Sequence, residues 1–506
     1  MNWAGTPPVC PTSRVPRAAR GVTGAPYTRA VPTTTLARTR HAPDWLILSI
    51  ACIAQFMVVL DVSIVNVALP RMSHDLHFTI TSAQWVVNAY VLTFAGFLLL
   101  GGRAADYFGR RHVYLAGIAL FTLASVGAGF AASGTQMVAV RAIQGIGGAI
   151  VSPATLTIIV TTFHGPRLPR AIGVWSAVAG AGGAVGGLLG GILTGLVSWR
   201  WVFFINVPLG IVAGIAATMY LREMRNKDAT AKLDVTGAVL VTGGLAAVIY
   251  AVVNTTTHPW GSSAILDWLV GGLFVLVAFA FWEARVASHP LMPFRIFRSR
   301  PLSTANGVMM LVGGAFFSMW YFLTFYFQFI LGYGPVRAGF AFMPMAVGII
   351  AGAQISSRLI ARVGVRPLLV VGSLLATVGF YWLSFIHTTS GFWSDVALPS
   401  FGCAFAMGVL FSPLATAATA GVDRADAGLA SGVLNTARQV GGSIALAALG
   451  TVAADRRAAL VRGGTVTRDA ALVSGYDRVF LVSAVLTLAA FAVSLALPRH
   501  VGRHHH

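Results

Sequence analysis

Long apolar runs recur along this chain, separated by short polar stretches that are mostly basic. A helix needs about 20 predominantly apolar residues to cross the hydrocarbon of a bilayer. Fourteen runs qualify: 45–69, 83–101, 113–132, 139–162, 171–196, 202–221, 236–254, 266–286, 305–331, 337–358, 368–388, 395–420, 433–453 and 478–497. Backbone polar groups find no water partner in lipid, so runs of this length predict helices, whereas a membrane barrel would show short alternating segments. The expected fold class is an all-α membrane protein with fourteen transmembrane helices.

Composition agrees: 56% of the 506 residues are hydrophobic and 10% are charged, against roughly 45–50% apolar in soluble domains. A net charge of +20 would suggest nucleic acid in a soluble protein. Here the basic residues fall mainly in alternate loops, at Arg103, Arg110, Arg111, Arg167, Arg170, Arg222, Arg225, Lys227, Lys232, Arg295, Arg298, Arg300, Arg362 and Arg366. By the positive-inside rule these loops are cytoplasmic, which places both termini inside a cytoplasmic membrane and leaves no role for nucleic acid. The linker "ADRRAALVRGGTVTRD" between the last two runs is basic yet falls outside in this count. Residues 1–44 lack an apolar signal core and read as a disordered basic tail able to touch anionic headgroups, and 498–506 form a second cytoplasmic tail. Cys10, Cys52 and Cys403 have no metal-ligand spacing, and the terminal "HHH" alone is weak evidence for metal, so no metal or cofactor is expected.

The most charged linker, "LREMRNKDATAKLD", and the connection "HPLMPFRIFRSRP" bracket two runs that look like an insertion. Removing residues 222–301 leaves six runs on each side, 45–221 and 302–497, as expected of a transporter built from repeated halves. The repeat is legible in register: "GGRAADYFGRRHVYLAG" aligns with "SSRLIARVGVRPLLVVG", so that Arg103 meets Arg358, Gly109 meets Gly364, Arg111 meets Arg366 and Asp106 meets Ala361.

Five motifs in order, "LDVSIVNVALP" (60–70), "GGRAADYFGRR" (101–111), "RAIQGIGG" (141–148), a glycine-rich fifth run and "WRWVFFINVPLG" (199–210), resemble those of the major facilitator superfamily, specifically its fourteen-span drug:proton antiporters. The resemblance covers about residues 45–497. It implies two six-helix bundles with an inserted two-helix hairpin, working as a monomer by alternating access. The fifth run departs from the family pattern, with Gly187 where a proline usually stands, and that motif is associated with export.

Asp61 is the single acid placed well inside a run, and an intramembrane carboxylate is costly enough to mark function by default. It lies about 12 Å from the outer end of its run, at a depth similar to Arg141. Burial disfavours the charge of such a carboxyl and a nearby arginine favours it, a balance that suits a proton carrier. The resemblance makes the two helices neighbours, with Gln144 and Gly145 allowing close packing. Two plainer readings stay open: Asp61 as a structural polar partner and Arg141 as an interfacial arginine that snorkels. In the 101–111 loop, Asp106 lies near Arg110 while Gly102 and Gly109 allow close backbone approach. Arg103, Arg110 and Arg111 suffice as topology determinants; the resemblance adds a cytoplasmic latch between the halves. Gly182, Gly186 and Gly190, beside Gly183, Gly187 and Gly191, form adjacent small-residue stripes for helix contact, and the resemblance adds sliding or bending there. Gln84, Trp85, Asn88 and Tyr90, with Trp320 and Tyr326, are candidate cavity residues, the rings able to stack on a flat or cationic substrate.

No phosphate-binding loop with Lys-Ser/Thr accompanies these features, so a gradient must supply the energy. No nucleophile–base pair or metal cluster argues for an enzyme. The expected function is proton-coupled export of amphiphilic or cationic drugs or antibiotics. The alternative is a proton-coupled importer or a metabolite exporter on the same fold.

Overall fold

The computed structural model describes residues 43–164, 167–221, 223, 233–255, 257–288, 290–420, 422, 427–463 and 466–498. Residues 1–42 of the basic tail, residues 499–506 of the second tail, most of the 222–232 linker and the side chain of Asp106 lie outside the described residues.

Among those residues the chain is a succession of long helices: α1 Asp44–Asp75, α2 Ile80–Phe108, α3 Arg110–Gly129, α4 Gly134–Thr162, α5 Arg167–Leu196, α6 in two pieces (Trp201–Phe204 and Asn206–Tyr220), α7 Val235–Asn254, and α8 Ser263–Phe281 ending in a π-turn. After a 3₁₀ turn at Phe294–Arg298 come α9 Arg300–Phe325, also ending in a π-turn, α10 in two pieces (Pro335–Ala341 and Met343–Val363), α11 Val365–Leu383, α12 Leu398–Thr419 with a π-turn before it, α13 Ala427–Arg462 and α14 Arg468–Leu495. Twelve stretches are long and apolar enough to cross a membrane. The two helices outside that set, α5 and α13, are 30 and 36 residues long.

Helix ends are where polar side chains can take up orphan backbone donors. Thr79 and Ser82 form a reciprocal capping box at the start of α2, Ser133 caps α4, Asp234 caps α7 through Gly237 N at 2.8 Å, and Thr467 caps α14. Several helices outrun their apolar stretches. Proline is tolerated inside membrane helices where neighbours re-satisfy the backbone, so α1 passes through Pro70 to Asp75. Much of the basic 455–478 segment, expected as a loop, is helical: α13 continues to Arg462 and α14 begins at Arg468.

The packing repeats. In the first half α2 lies on α4, α1 on α5, and α3 on both α4 and α6. Eight helices later α10 lies on α12, α9 on α13, and α11 on both α12 and α14. The two halves meet along α2–α13 and α5–α10, and the α7–α8 hairpin leans through α7 on α2 and α13. Helix boundaries keep register as well: Asp75 and Ile330, Phe108 and Val363, and Arg110 and Val365 stand 255 positions apart. Gly109 and Gly364, at the same spacing, turn the chain between helices with φ of 96° and 83°, a region that favours glycine. Arg111 donates to Thr218 O near the end of α6 at 2.7 Å, and Arg366 to Leu495 O at the end of α14 at 2.9 Å.

Candidate functional site

The charge cluster draws on five helices of the first half. Asp61 on α1 is fully buried, as is Arg141 on α4. The Arg141 Nη1 donates to Asp61 Oδ2 at 2.5 Å and to Gln144 Oε1 at 2.6 Å, while its Nε donates to Val86 O at 3.0 Å. Gln144, one turn along α4 from Arg141, donates to Asp61 Oδ1 at 2.8 Å and to Ser125 Oγ at 2.7 Å. Asn206, on α6, supplies a third donor to the carboxylate at 3.1 Å. The guanidinium carbon sits 4.3 Å from the ring centre of Tyr90 and 5.9 Å from that of Phe203, a geometry in which a ring face attracts a cation.

Two unit charges are therefore held out of water with their hydrogen-bonding capacity largely occupied, the condition under which buried ions are tolerated. Some capacity is unused, since Tyr90 Oη and Asn206 Oδ1 are buried without hydrogen-bond partners. The cluster can hold a proton-accepting carboxylate next to a fixed positive charge, and loss of the carboxylate's charge would remove the guanidinium's only nearby counterion in it.

Gly145 brings α4 against α2: a Cβ there would lie 2.3 Å from Tyr90 O. Because α1 continues past Pro70 to Asp75, Asp61 lies about 21 Å from the helix end at 1.5 Å per residue. Asp61 is also not alone: α14 starts early enough to contain Asp477, whose Oδ1 is buried without a partner. Ser125 and Asn206 escaped the sequence reading, the latter despite lying inside a quoted motif.

The 101–111 segment, expected as a loop, is the end of α2, the Gly109 turn and the start of α3. Arg103 donates to Pro290 O in the connection after the hairpin, and Arg111 to α6 of its own half. Glu223 accepts from His112 N at 3.2 Å and pairs with His112 Nδ1 at 2.5 Å. It sits over Gly109, where a Cβ would lie 2.0 Å from Glu223 Oε1. Gly102 faces Pro153 of α4, and Arg110 is half-buried.

The glycine stripes of α5 face two different helices. Cβ atoms at Gly182, Gly186 and Gly190 would meet α1 at Phe56 O, Ser63 Oγ and Ile64 O, whereas those at Gly187 and Gly191 would meet α10 at Phe342 Cβ and Pro335 O.

The six cavity candidates scatter. Tyr90 belongs to the charge cluster. Trp85 points to the hairpin, its ring 6.1 Å from that of Tyr250 on α7, because consecutive helical residues lie about 100° apart. Tyr326 is buried and donates to His387 O at 2.7 Å. Trp320 stacks on Phe342 at 4.8 Å. Gln84 is buried where α2 meets α13, across from Gly450. Asn88 is buried with neither amide atom partnered.

A family model for the Major Facilitator Superfamily matches residues 51–446. The chain is 40% identical over 454 residues to the cephamycin export protein of Amycolatopsis lactamdurans, covering 89% of this chain and 92% of that one. It is 38% identical over 464 residues to the puromycin resistance protein of Streptomyces alboniger, covering 90% of each. Among solved structures, a bacterial homolog of the human lysosomal transporter Spinster in an inward-facing, occupied conformation aligns with a TM-score of 0.62 at 16% identity, over 89% of this chain and 96% of that one.

Proposed function

The chain belongs to the major facilitator superfamily of transporters, and we propose that it exports amphiphilic small molecules, antibiotics among them, in exchange for protons. Export is supported by relatives, a cephamycin export protein and a puromycin resistance protein, that align along nine-tenths of the chain. Proton coupling is supported by one observation above the others, the buried Asp61 carboxylate held by Arg141, Gln144 and Asn206. In this reading α5 and α13 complete fourteen crossings of the cytoplasmic membrane, the Gly109 and Gly364 turns face the cytoplasm, and both termini are inside.

The mechanism follows from charge balance. With Asp61 ionised, the cluster is neutral overall and joins α1, α4 and α6. A proton arriving at Asp61 cancels the countercharge, leaving Arg141 with carbonyl and amide oxygens and the Tyr90 ring. A buried unpaired cation is costly, so α1 and α4 repack toward whichever arrangement best relieves it. The halves then rock about α2–α13 and α5–α10, as in two-state transporters generally. Release of the proton on the cytoplasmic side restores the pair. The 101–111 segment, held through Glu223 and Pro290, acts as a latch on the first half and the hairpin, with Asp106 and Arg110 as further members.

The test is substrate-triggered proton movement in everted vesicles loaded with a pH dye, using a β-lactam and puromycin as probes. Wild type should release protons on substrate addition, and Asp61→Asn, with its membrane insertion verified, should not. Equal proton movement by both proteins would overturn the assignment of Asp61.

A further inference from the structure

Arg438 is a charged side chain within the second half that the Asp61 cluster does not use. It lies about 16 Å along α13 from Ala427 at 1.5 Å per residue. Its Nη2 donates to Asn435 Oδ1 at 2.8 Å, and its Nε is buried without a hydrogen-bond partner. None of the ion pairs among the described residues includes it. The chain carries no Asp or Glu between Glu283 and Asp395. Asp423 and Asp426, the acids next before Arg438 in the sequence, lie outside the described residues. Asp61 is taken by Arg141. A cation inside a membrane helix without a counterion of its own is a functional-site signal by default.

Which way the side chain faces follows from the neighbours of α13. Gly441 and Ala445 lie against α9, where Cβ atoms at Gly441 and Gly314 would meet Met310 O and Ala445 Cβ. Gly432 and Gly450 lie against α2, at Leu99 and Gln84 of the opposite half. Val440, Ile444 and Ala447 pack with residues of the α7–α8 hairpin. At 100° per residue the arc left between the α9 and α2 faces holds Asn435 and Gln439. Arg438 itself starts at the edge of the α9 face, where a Cβ on Gly313 would lie 3.1 Å from its Cγ, and its hydrogen bond to Asn435 turns the guanidinium toward that arc, between α9 and α2 of the opposite half. On α9, Leu302 packs with Ala430 and Val433, and Asn306, one turn further toward Arg438, has a buried Oδ1 without a partner.

We propose that Arg438, oriented by Asn435, is an anion subsite in the transport path, and that it takes a carboxylate or comparable oxyanion on the transported molecule. The guanidinium fork suits such a group, donating two parallel N–H···O bonds that a point cation cannot match. Asn306 offers an acceptor to a donor, such as an amide N–H, on the same molecule. This deepens the export reading and rests on it: protons are handled by the first half and the substrate's negative charge by the second.

The test uses the purified full chain in lipid nanodiscs and a matched probe pair, a cephalosporin with its free carboxylate and the methyl ester of the same compound. Binding is measured by calorimetry. Wild type should favour the acid by at least about tenfold; Arg438→Gln should weaken the acid roughly ten- to a hundredfold, the range for hydrogen bonds to charged groups, while ester affinity stays put and reports an intact fold. Arg438→Lys should keep part of the preference. The subsite is overturned if acid and ester bind wild type alike, if neither binds, or if Arg438→Gln weakens both equally. Arg438-dependent binding of an acid that vesicles then fail to move would uphold the subsite and sink the export reading.

Discussion

Asp61 and Arg141 are tolerable in the bundle only as a pair, because each is buried to within 1% of complete exclusion and removing one partner of such a pair costs about 3–5 kcal/mol. Asn206 acts on this pair through the carboxylate. Its amide donates to Asp61 Oδ1 and, at 3.4 Å, to Ser125. Interhelical hydrogen bonds in membranes are worth about 0.6 kcal/mol on average and up to about 1.7, so Asn206→Ala should lower the melting temperature of the purified protein modestly while slowing transport. The discriminating measurement is the double-mutant cycle with Asp61→Asn: the second loss should shrink in that background, since coupled residues are non-additive. Equal losses in both backgrounds would mean that Asn206 matters for packing alone. The charged members of this site were legible in the sequence because an acid and an arginine inside apolar runs stand out. Ser125 and Asn206 were not, because neutral polar residues are common in such runs and only the fold brings α6 to the carboxylate and α3 to the amides that hold it. Asp477 was missed for a different reason: the apolar run of α14 begins after the helix does.

Helix α5 shows how one element serves two contacts. Its paired glycine stripes were readable from the four-residue period, but α1 and α10 are far apart in the chain, and nothing in a period says which helix a stripe will face. The structure gives the stripes separable consequences. A Cβ at Gly190 would lie 2.7 Å from Ile64 O on α1, within the first half, whereas one at Gly191 would lie 2.4 Å from Pro335 O on α10, between the halves. Gly190→Ala should therefore lower the thermal stability of the protein, because a packed contact inside one half must open. Gly191→Ala meets backbone still more closely and should depress transport more than stability, because the halves can part to relieve the clash and then no longer close at α5–α10. Melting curves and vesicle transport on the two variants decide the matter; equal effects on both readouts would remove the distinction between a packing face and a gating face. The same elements show why helix ends were less legible than helices: a hydrophobic run ends where polar side chains begin, but α13 and α14 keep their backbone hydrogen bonds beyond that point.

At the scale of the whole molecule the two halves share a frame and differ in chemistry. Carried forward by the 255-position spacing of the helix ends, Asp61 and Ser125 fall at Phe316 and Phe380, whose rings are in edge contact at 5.3 Å. The repeat keeps the glycine turns and the arginine anchors, which serve the scaffold, and replaces the titratable cluster by an aromatic pair. An asymmetric load on a symmetric frame requires the halves to move against each other, and α5–α10 is one of the places where they touch. At that contact a Cβ on Gly195 would come within 2.8 Å of Val336 Cγ2, so a cysteine pair at these positions, in a chain with Cys10, Cys52 and Cys403 replaced, should cross-link with a short thiol reagent. Cross-linking should stop transport, and reduction should restore it, because alternation requires this end of the α5–α10 contact to part. Each single-cysteine variant, treated identically, should keep transporting. A doubly substituted protein that still transports at full rate once its cross-link is complete would show that the two halves exchange access without separating here, and the movement would have to be sought along α2–α13, where the hairpin and Arg438 lie.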